Sequence, residues 1–293
     1  MAHTHDGIDW NERLSALRRA DHIFAKAYRQ VAERLVDMVA ADGTPPVVVD
    51  VGSGAGGMSV AFASVLAARG GGRLVLADAV DELLSAATGH ATEAAGGTVT
   101  VEAVSVDAAD ERLTSVLPAA DLVWASRVVH HLPDQQQAIN RLAGVLAPGG
   151  WLALSEGGLD TKCLPWDIGV GRPGLGDRLL AARNQWFVRM REEMPGSVRL
   201  PVGWTRALAA AGLVDTSSFS YLVDLPAPAD EATRLSVVDM LTWMSHSGEE
   251  YLDEHDRVTV ARLLDPSDDD YVGNRDDVFF LGTSSVHLGR KNG

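Results

Sequence analysis

Apolar and polar positions follow two rhythms along the chain. From Trp10 to Ala41 apolar residues recur at three- and four-residue steps (Leu14, Leu17, Phe24, Tyr28, Val31, Leu35, Met38), and Asp21 interrupts the stripe. This period predicts a helix that breaks near Ala20-Asp21 and docks most of its stripe on a neighbouring domain, with Tyr28 placed to help close a ligand pocket. Val47 to Val51 is different. It is apolar without alternation apart from Asp50, as in a strand buried on both faces of a parallel sheet. Strand-like runs recur at Arg73–Asp78, Val99–Val104, Asp121–Ser126, Trp151–Glu156, Val214–Leu225 and from Asp277 to Leu288. Helical spacing fills the gaps at Met58–Leu66, Val80–Ala94, Gln135–Leu146 and Trp204–Ala211, and Pro148-Gly149-Gly150 is expected to stop the third of these helices.

Strand and helix taking turns predict an α/β fold: a Rossmann-like, doubly wound, mostly parallel seven-stranded sheet with an antiparallel last strand. Two stretches depart from the alternation. Asp177 to Met194 reads as a helix in a cap over the strand ends, and Glu231 to Ser245 as a helix presenting Leu241, Trp243 and Met244. The chain thus divides into an N-terminal helical segment (1–46), a core (47–156), a cap insertion (157–200) and a C-terminal part of the sheet (201–293) with a helical insertion at 226–277.

The candidate chemistry sits where strands end. Gly52-Ser53-Gly54-Ala55-Gly56-Gly57 follows the first strand and opens a helix. Glycines let the backbone turn and approach a ligand where a Cβ would clash, and the helix N-terminus faces that ligand. Gly52, Gly54 and Gly57 satisfy GxGxxG, which dinucleotide enzymes share. Asp50, Gly52, Gly54 and Gly56 also satisfy acid-x-Gly-x-Gly-x-Gly. A carboxylate before the glycines repels a pyrophosphate but accepts hydrogen bonds from an α-ammonium, which points to S-adenosylmethionine (SAM). Capping of the loop backbone by Asp50 is the alternative. Asp78, at the end of the second strand, is placed for both ribose hydroxyls. Asp107 can accept from an adenine amino group while Val106 and Ala108 pack on the base, and Asp110 reads as a helix cap. The expected cofactor-binding set is Asp50, Gly52, Ser53, Gly54, Gly56, Asp78, Ala79, Asp107, Ala108, Ser126 and Arg127.

Charge and composition narrow the partners. A net charge of −15 without a basic cluster argues against nucleic acid and suits a cationic sulfonium. The single cysteine, Cys163, excludes an internal disulfide and fits a reducing cytoplasm. Neither a signal peptide nor a membrane span is read. The expectation is a cytoplasmic protein acting on a small molecule, with no nucleic-acid or membrane partner and a homodimer left open. No metal is expected. The Asp265–Asp270 run lacks the glycine and terminal glutamate of an EF-hand loop and reads as a solvated turn, and His3 and His5 fall in what reads as a flexible start.

Taken together, Val48 to Gly57, Asp78, Asp107-Ala108, Ser126 to Asp134 and Val145 to Glu156 resemble a class I SAM-dependent methyltransferase, most similar to the small-molecule, natural-product branch. The resemblance covers roughly residues 47–156. It implies SAM as cofactor, S-adenosylhomocysteine as product, and a substrate bordered by His130-His131. It further implies His130 as general base, His131 positioning and Glu156 orienting an imidazole for O-methylation in secondary metabolism. Three other readings stay open: a methyltransferase acting on a peptide or protein carboxylate, an NAD-dependent oxidoreductase, and a SAM-binding protein without turnover. The oxidoreductase is disfavoured, since none of Tyr28, Tyr221, Tyr251 and Tyr271 has a lysine four residues on.

Overall fold

The structure, a computed structural model, describes residues 10–40 and 43–293; His3, His5 and Asp42 lie outside them. Among the described residues one sheet contains β1 (Val47–Val51), β2 (Gly72–Asp78), β3 (Val99–Ser105), β4 (Ala120–Ser126), β5 (Leu146–Ser155), β6 (Val214–Leu225) and β7 (Phe280–Arg290). Their order is β3-β2-β1-β4-β5-β7-β6. β1 to β5 pair in parallel, and β7 runs antiparallel to β5. This is the doubly wound, Rossmann-like α/β sheet that the strand–helix alternation predicts. The helices are α1 (Trp10–Val39), α2 (Gly57–Ala68), α3 (Asp81–Ala95), α4 (Leu113–Val116), α5 (Gln135–Val145), α6 (Leu175–Glu193), α7 (Trp204–Ala210), α8 (Glu231–Gly248) and α9 (Glu254–Leu264).

The register decides where chemistry can occur. Val51 lies beside Ala77 and Ala125, Asp78 beside Ser105, and Ser126 beside Ser155, so the parallel strands end along one edge. The strand order reverses between β1 and β4, the switch point where open α/β sheets leave a crevice for ligands. β1 lacks alternation because both its faces are covered: Val48 and Val49 are fully buried. Phe62 of α2 meets Trp124 of β4 edge-on, with ring centroids 6.1 Å apart. Asp134 caps α5 by accepting from Gln137 N at 2.9 Å.

Three expectations need correction. α1 runs without a break through Asp21, because that carboxylate accepts a hydrogen bond from Gly57 N at 3.0 Å and so is satisfied within the α1–α2 contact. α5 ends at Val145, before Pro148-Gly149-Gly150, and that tripeptide lies inside β5. Its backbone is satisfied by the chain after β7: Gly149 N donates to Lys291 O at 3.1 Å and Lys291 N to Gly150 O at 2.8 Å. The Asp265–Asp270 turn is tied to protein rather than only solvated, since Arg262 of α9 pairs with Asp268 and Asp270.

The chain forms two units. One holds residues up to Gly157 with Val198–Tyr221 and Ser284–Gly293; the other holds Gly158–Ser197 and Leu222–Thr283. The second has its own apolar core, in which Leu179 of α6, Leu241 of α8 and Leu263 of α9 are fully buried. Gly248 lets α8 approach α6, where a Cβ would sit 2.9 Å from that of Ala182. Arg178 also binds this unit together, donating to buried Asp256 from Nε at 2.6 Å and from Nη2 at 3.0 Å, with Arg172 at 3.1 Å. Burial alone would raise the Asp256 carboxyl, but the two guanidiniums outweigh it and hold it below its ordinary value. The pair therefore contributes stability above pH 3.8 that is lost as the pH falls through the lowered value. Arg178→Met should cost about 2–3 kcal/mol in urea denaturation at pH 7 and flatten the acid limb of the stability profile.

Candidate active site

The loop after β1 is held from three sides. Gly52 N donates to Ala77 O at 2.7 Å, and Gly54 N to Asp78 Oδ2 at 2.9 Å. Gly56 has a left-handed φ of 96°, and a Cβ there would lie 2.7 Å from Ala87 Cα of α3. Gly54 is left-handed too, at 55°, but a Cβ there would meet nothing within 4 Å, so its face is open. Ser53 Oγ is buried and has no hydrogen-bond partner.

Asp50, buried at the end of β1, does not cap the loop. Its Oδ2 accepts from Ser59 Oγ of α2 at 2.5 Å. Burial pushes the Asp50 carboxyl up to about 7; the Ser59 bond lowers it, and the charges of Asp78 and Asp21 raise it further. Asp78 bridges two elements, since its Oδ1 also accepts from Val80 N at 3.0 Å as α3 begins, and exposed Ala79 lies between them. Val106 N donates to Asp78 O at 3.0 Å, which joins the loop after β3 to the end of β2. Within that loop Asp107 Oδ1 accepts from Ala109 N at 2.7 Å, a local turn that leaves Ala108 half-buried.

Across the switch point, half-buried Ser126 ends β4 and Arg127 turns the chain with φ 56°, a rare conformation for a residue with a side chain. Arg127 N donates to Ser155 O at 3.0 Å, and Nη2 donates to the hydroxyl of buried Tyr28 at 3.2 Å. The guanidinium also lies 5.8 Å from the centre of the Phe24 ring. α1 thus reaches the site through several residues. Tyr28 was a candidate from spacing; Asp21 was read only as an interruption of the stripe. Arg18, Asp21 and His22 of α1, Gly56 and Gly57 where α2 begins, and His90 of α3 line a cleft of about 240 Å³ beside the glycine loop. Burial raises the Asp21 carboxyl to about 6, against the lowering effects of Arg127 and the Gly57 N–H.

A second cluster follows Arg127. Val129–His131 forms a single 3₁₀ turn, and buried Glu156 stands at the end of β5. Glu156 Oε1 accepts from Val129 N at 2.9 Å, and Oε2 lies 2.5 Å from His130 Nδ1. With Glu156 ionised, Nδ1 carries the proton, so the ring's basic lone pair is on Nε2. The His131 ring lies 4.1 Å from that of His130, centre to centre. The structure therefore brings His130, His131 and Glu156 together. Sequence reading missed His287 of β7, whose Nε2 lies 2.9 Å from Glu156 O and whose Nδ1 lies 2.8 Å from Ser218 Oγ of β6. Its only signal was a polar residue in the last strand. Among the described residues, no group of three or more His, Cys, Asp or Glu side chains is placed to share a metal ion, and no helix is long and apolar enough to cross a membrane.

Sequence comparisons with known proteins find methyltransferases. A methyltransferase domain model matches residues 49–152. Nocamycin O-methyltransferase from Saccharothrix syringae is 30% identical over 229 residues, spanning 75% of this chain and 77% of that protein. Among solved structures, the YcgJ protein from Bacillus subtilis is similar at 18% identity and a TM-score of 0.44, covering 88% of this chain and 98% of that one. The Haemonchus contortus phosphoethanolamine N-methyltransferase 2 in complex with SAM is similar at 14% identity and a TM-score of 0.44, covering 98% of this chain and 61% of that one.

The raised Asp50 carboxyl has a stability consequence. A group whose folded pKa lies above its unfolded value favours the fold while protonated, and that contribution fades as the pH rises from 3.8 through about 7. Asp50→Asn should therefore stabilise the ligand-free protein at pH 8, by up to about 4 kcal/mol, and have little effect near pH 4. Thermal denaturation of both proteins across that range checks this.

Proposed function

Because the chain belongs to the class I SAM-dependent methyltransferases, we propose that it methylates a hydroxyl of a small molecule in secondary metabolism, in the cytoplasm, with His130 as general base. The observation that carries this reading is the 2.5 Å contact between His130 Nδ1 and buried Glu156. A carboxylate at Nδ1 sets the tautomer of the imidazole and stabilises the imidazolium once it has taken a proton. The name of the Saccharothrix syringae relative, nocamycin O-methyltransferase, supports an oxygen nucleophile and a natural-product acceptor.

The residues around the glycine loop fit SAM. The unpartnered Ser53 hydroxyl and the open face of Gly54 leave polar and steric room for a ligand. Asp50 would accept from an α-ammonium and Asp78 from the ribose hydroxyls, and Asp107 with Ala108 would border the base. Ser126 and Arg127 close the set from the β4 side. When bound, SAM supplies an electrophilic methyl group. His130 Nε2 takes the acceptor's hydroxyl proton as the oxygen–carbon bond forms and the carbon–sulfur bond breaks. Glu156 holds that imidazole in place, and His131 packs beside it. Fixing nucleophile and methyl in line is worth on the order of 7–11 kcal/mol, and proton removal adds about 10²–10⁴ in rate.

Calorimetric titration tests the cofactor. The wild type should bind S-adenosylhomocysteine and not NAD, and Asp78→Ala should lose most of that binding; NAD binding instead would overturn the reading. Screening hydroxylated small molecules for methyl transfer from SAM tests the chemistry. With an active acceptor, His130→Gln should lower kcat by about 10²–10³ and leave S-adenosylhomocysteine affinity within about twofold. Unchanged turnover in both His130→Gln and His131→Ala would remove the general base and favour an acceptor that is already a carboxylate.

A further inference from the structure

α1 brings an acid to a glycine loop that follows Asp50 and is already held by Asp78. Asp21 lies 36 positions before Gly57 in the chain, and its Oδ2 accepts the hydrogen bond of Gly57 N at 3.0 Å, the first residue of α2. Gly57 must be glycine for this approach, because a Cβ there would run into the Asp21 carboxyl. Capping alone does not explain the residue. Asn or Ser would accept the same N–H without a charge, and at this position a charge is costly: burial raises Asp21 to about 6, and Asp21 in turn raises buried Asp50. The groups facing Asp21 are Arg127 after β4, Asp50 of β1, Tyr28, Arg18 and His22 of α1, and His90 of α3. Independently, the same loop holds the buried Ser53 hydroxyl, which has no partner within the protein and is available to a ligand.

We propose that Asp21 is a ligand for the α-ammonium of SAM, delivered by α1, so that the N-terminal helix forms part of the cofactor site. This rests on the SAM-dependent reading above. It explains why a carboxylate is kept where an amide would cap equally well: the cation would offset the repulsion between Asp21 and Asp50 once bound.

The test compares S-adenosylhomocysteine with its desamino analogue, which keeps the adenosine, the thioether and the carboxylate but lacks the ammonium. Asp21→Asn retains an oxygen to accept from Gly57 N, and a melting temperature within a few degrees of wild type confirms that α1 stays docked. Calorimetry should show the variant binding S-adenosylhomocysteine about tenfold more weakly and the desamino analogue within about twofold of wild type. Equal weakening of both ligands would overturn the proposal and reduce Asp21 to a fastening between α1 and α2; so would an unchanged preference for the amine. A wild type that binds neither ligand would overturn the SAM reading itself, and the proposal with it.

Discussion

Everything distinctive at the β4–β5 side of the sheet depends on one buried carboxylate. Glu156 satisfies the backbone of the 3₁₀ turn through Val129 N and orients the His130 ring with its other oxygen. Its own backbone is held by β7, with Glu156 N donating to Ser285 O at 3.0 Å and Glu156 O facing His287 Nε2. A buried carboxylate is tolerated only when its oxygens are paired. The pairing fixes three segments far apart in sequence: the turn after β4, the end of β5 and the middle of β7. Moving the turn after β4 would leave the charge without partners, and moving β7 would release the backbone that carries it, so the imidazole is aimed by bonds that also join these segments.

The glycine-loop side follows the opposite logic. There the carboxylates are close enough to repel, and burial raises Asp50 and Asp21 well above the ordinary range. Arg127 adds a left-handed backbone that costs of order 1–2 kcal/mol and places its guanidinium on Tyr28. Unfavourable terms concentrated in one crevice, with a well-packed sheet behind it, are what binding sites accumulate, since their groups are arranged for a ligand rather than for the free fold.

How much of this was legible in the chain depended on the range of each signal. The unbroken apolar run at Val47–Val51 and the acids at strand ends are local, and with parallel pairing they were enough to place Asp50, Asp78 and Glu156 on one edge. Asp21 was misread because its partner, Gly57 N, belongs to another helix; taken alone, an acid in an apolar stripe looks like a break. The Pro148-Gly149-Gly150 segment looked like a stop signal for a similar reason, because the residue that satisfies it, Lys291, comes only after β7. α9 escaped notice since Arg257, Arg262 and its acids obscure a stripe of Val260, Leu263 and Leu264. His287 carries its role through a backbone carbonyl and a serine hydroxyl, neither of which leaves a pattern in sequence.

The strand order has a consequence for how the protein is made. β6 is neighboured in the sheet by β7 alone, and β7 lies between it and β5. During synthesis β1 to β5 can pair as they emerge, whereas β6 leaves the ribosome with both edges bare and stays so until Phe280 and the residues after it have been added. The whole of α8 and α9 is translated in that interval. Unpaired strand edges are templates for pairing with other chains, so the nascent protein passes through a window in which β6, and the open edge of β5 beside Glu156, are its points of exposure to misassembly.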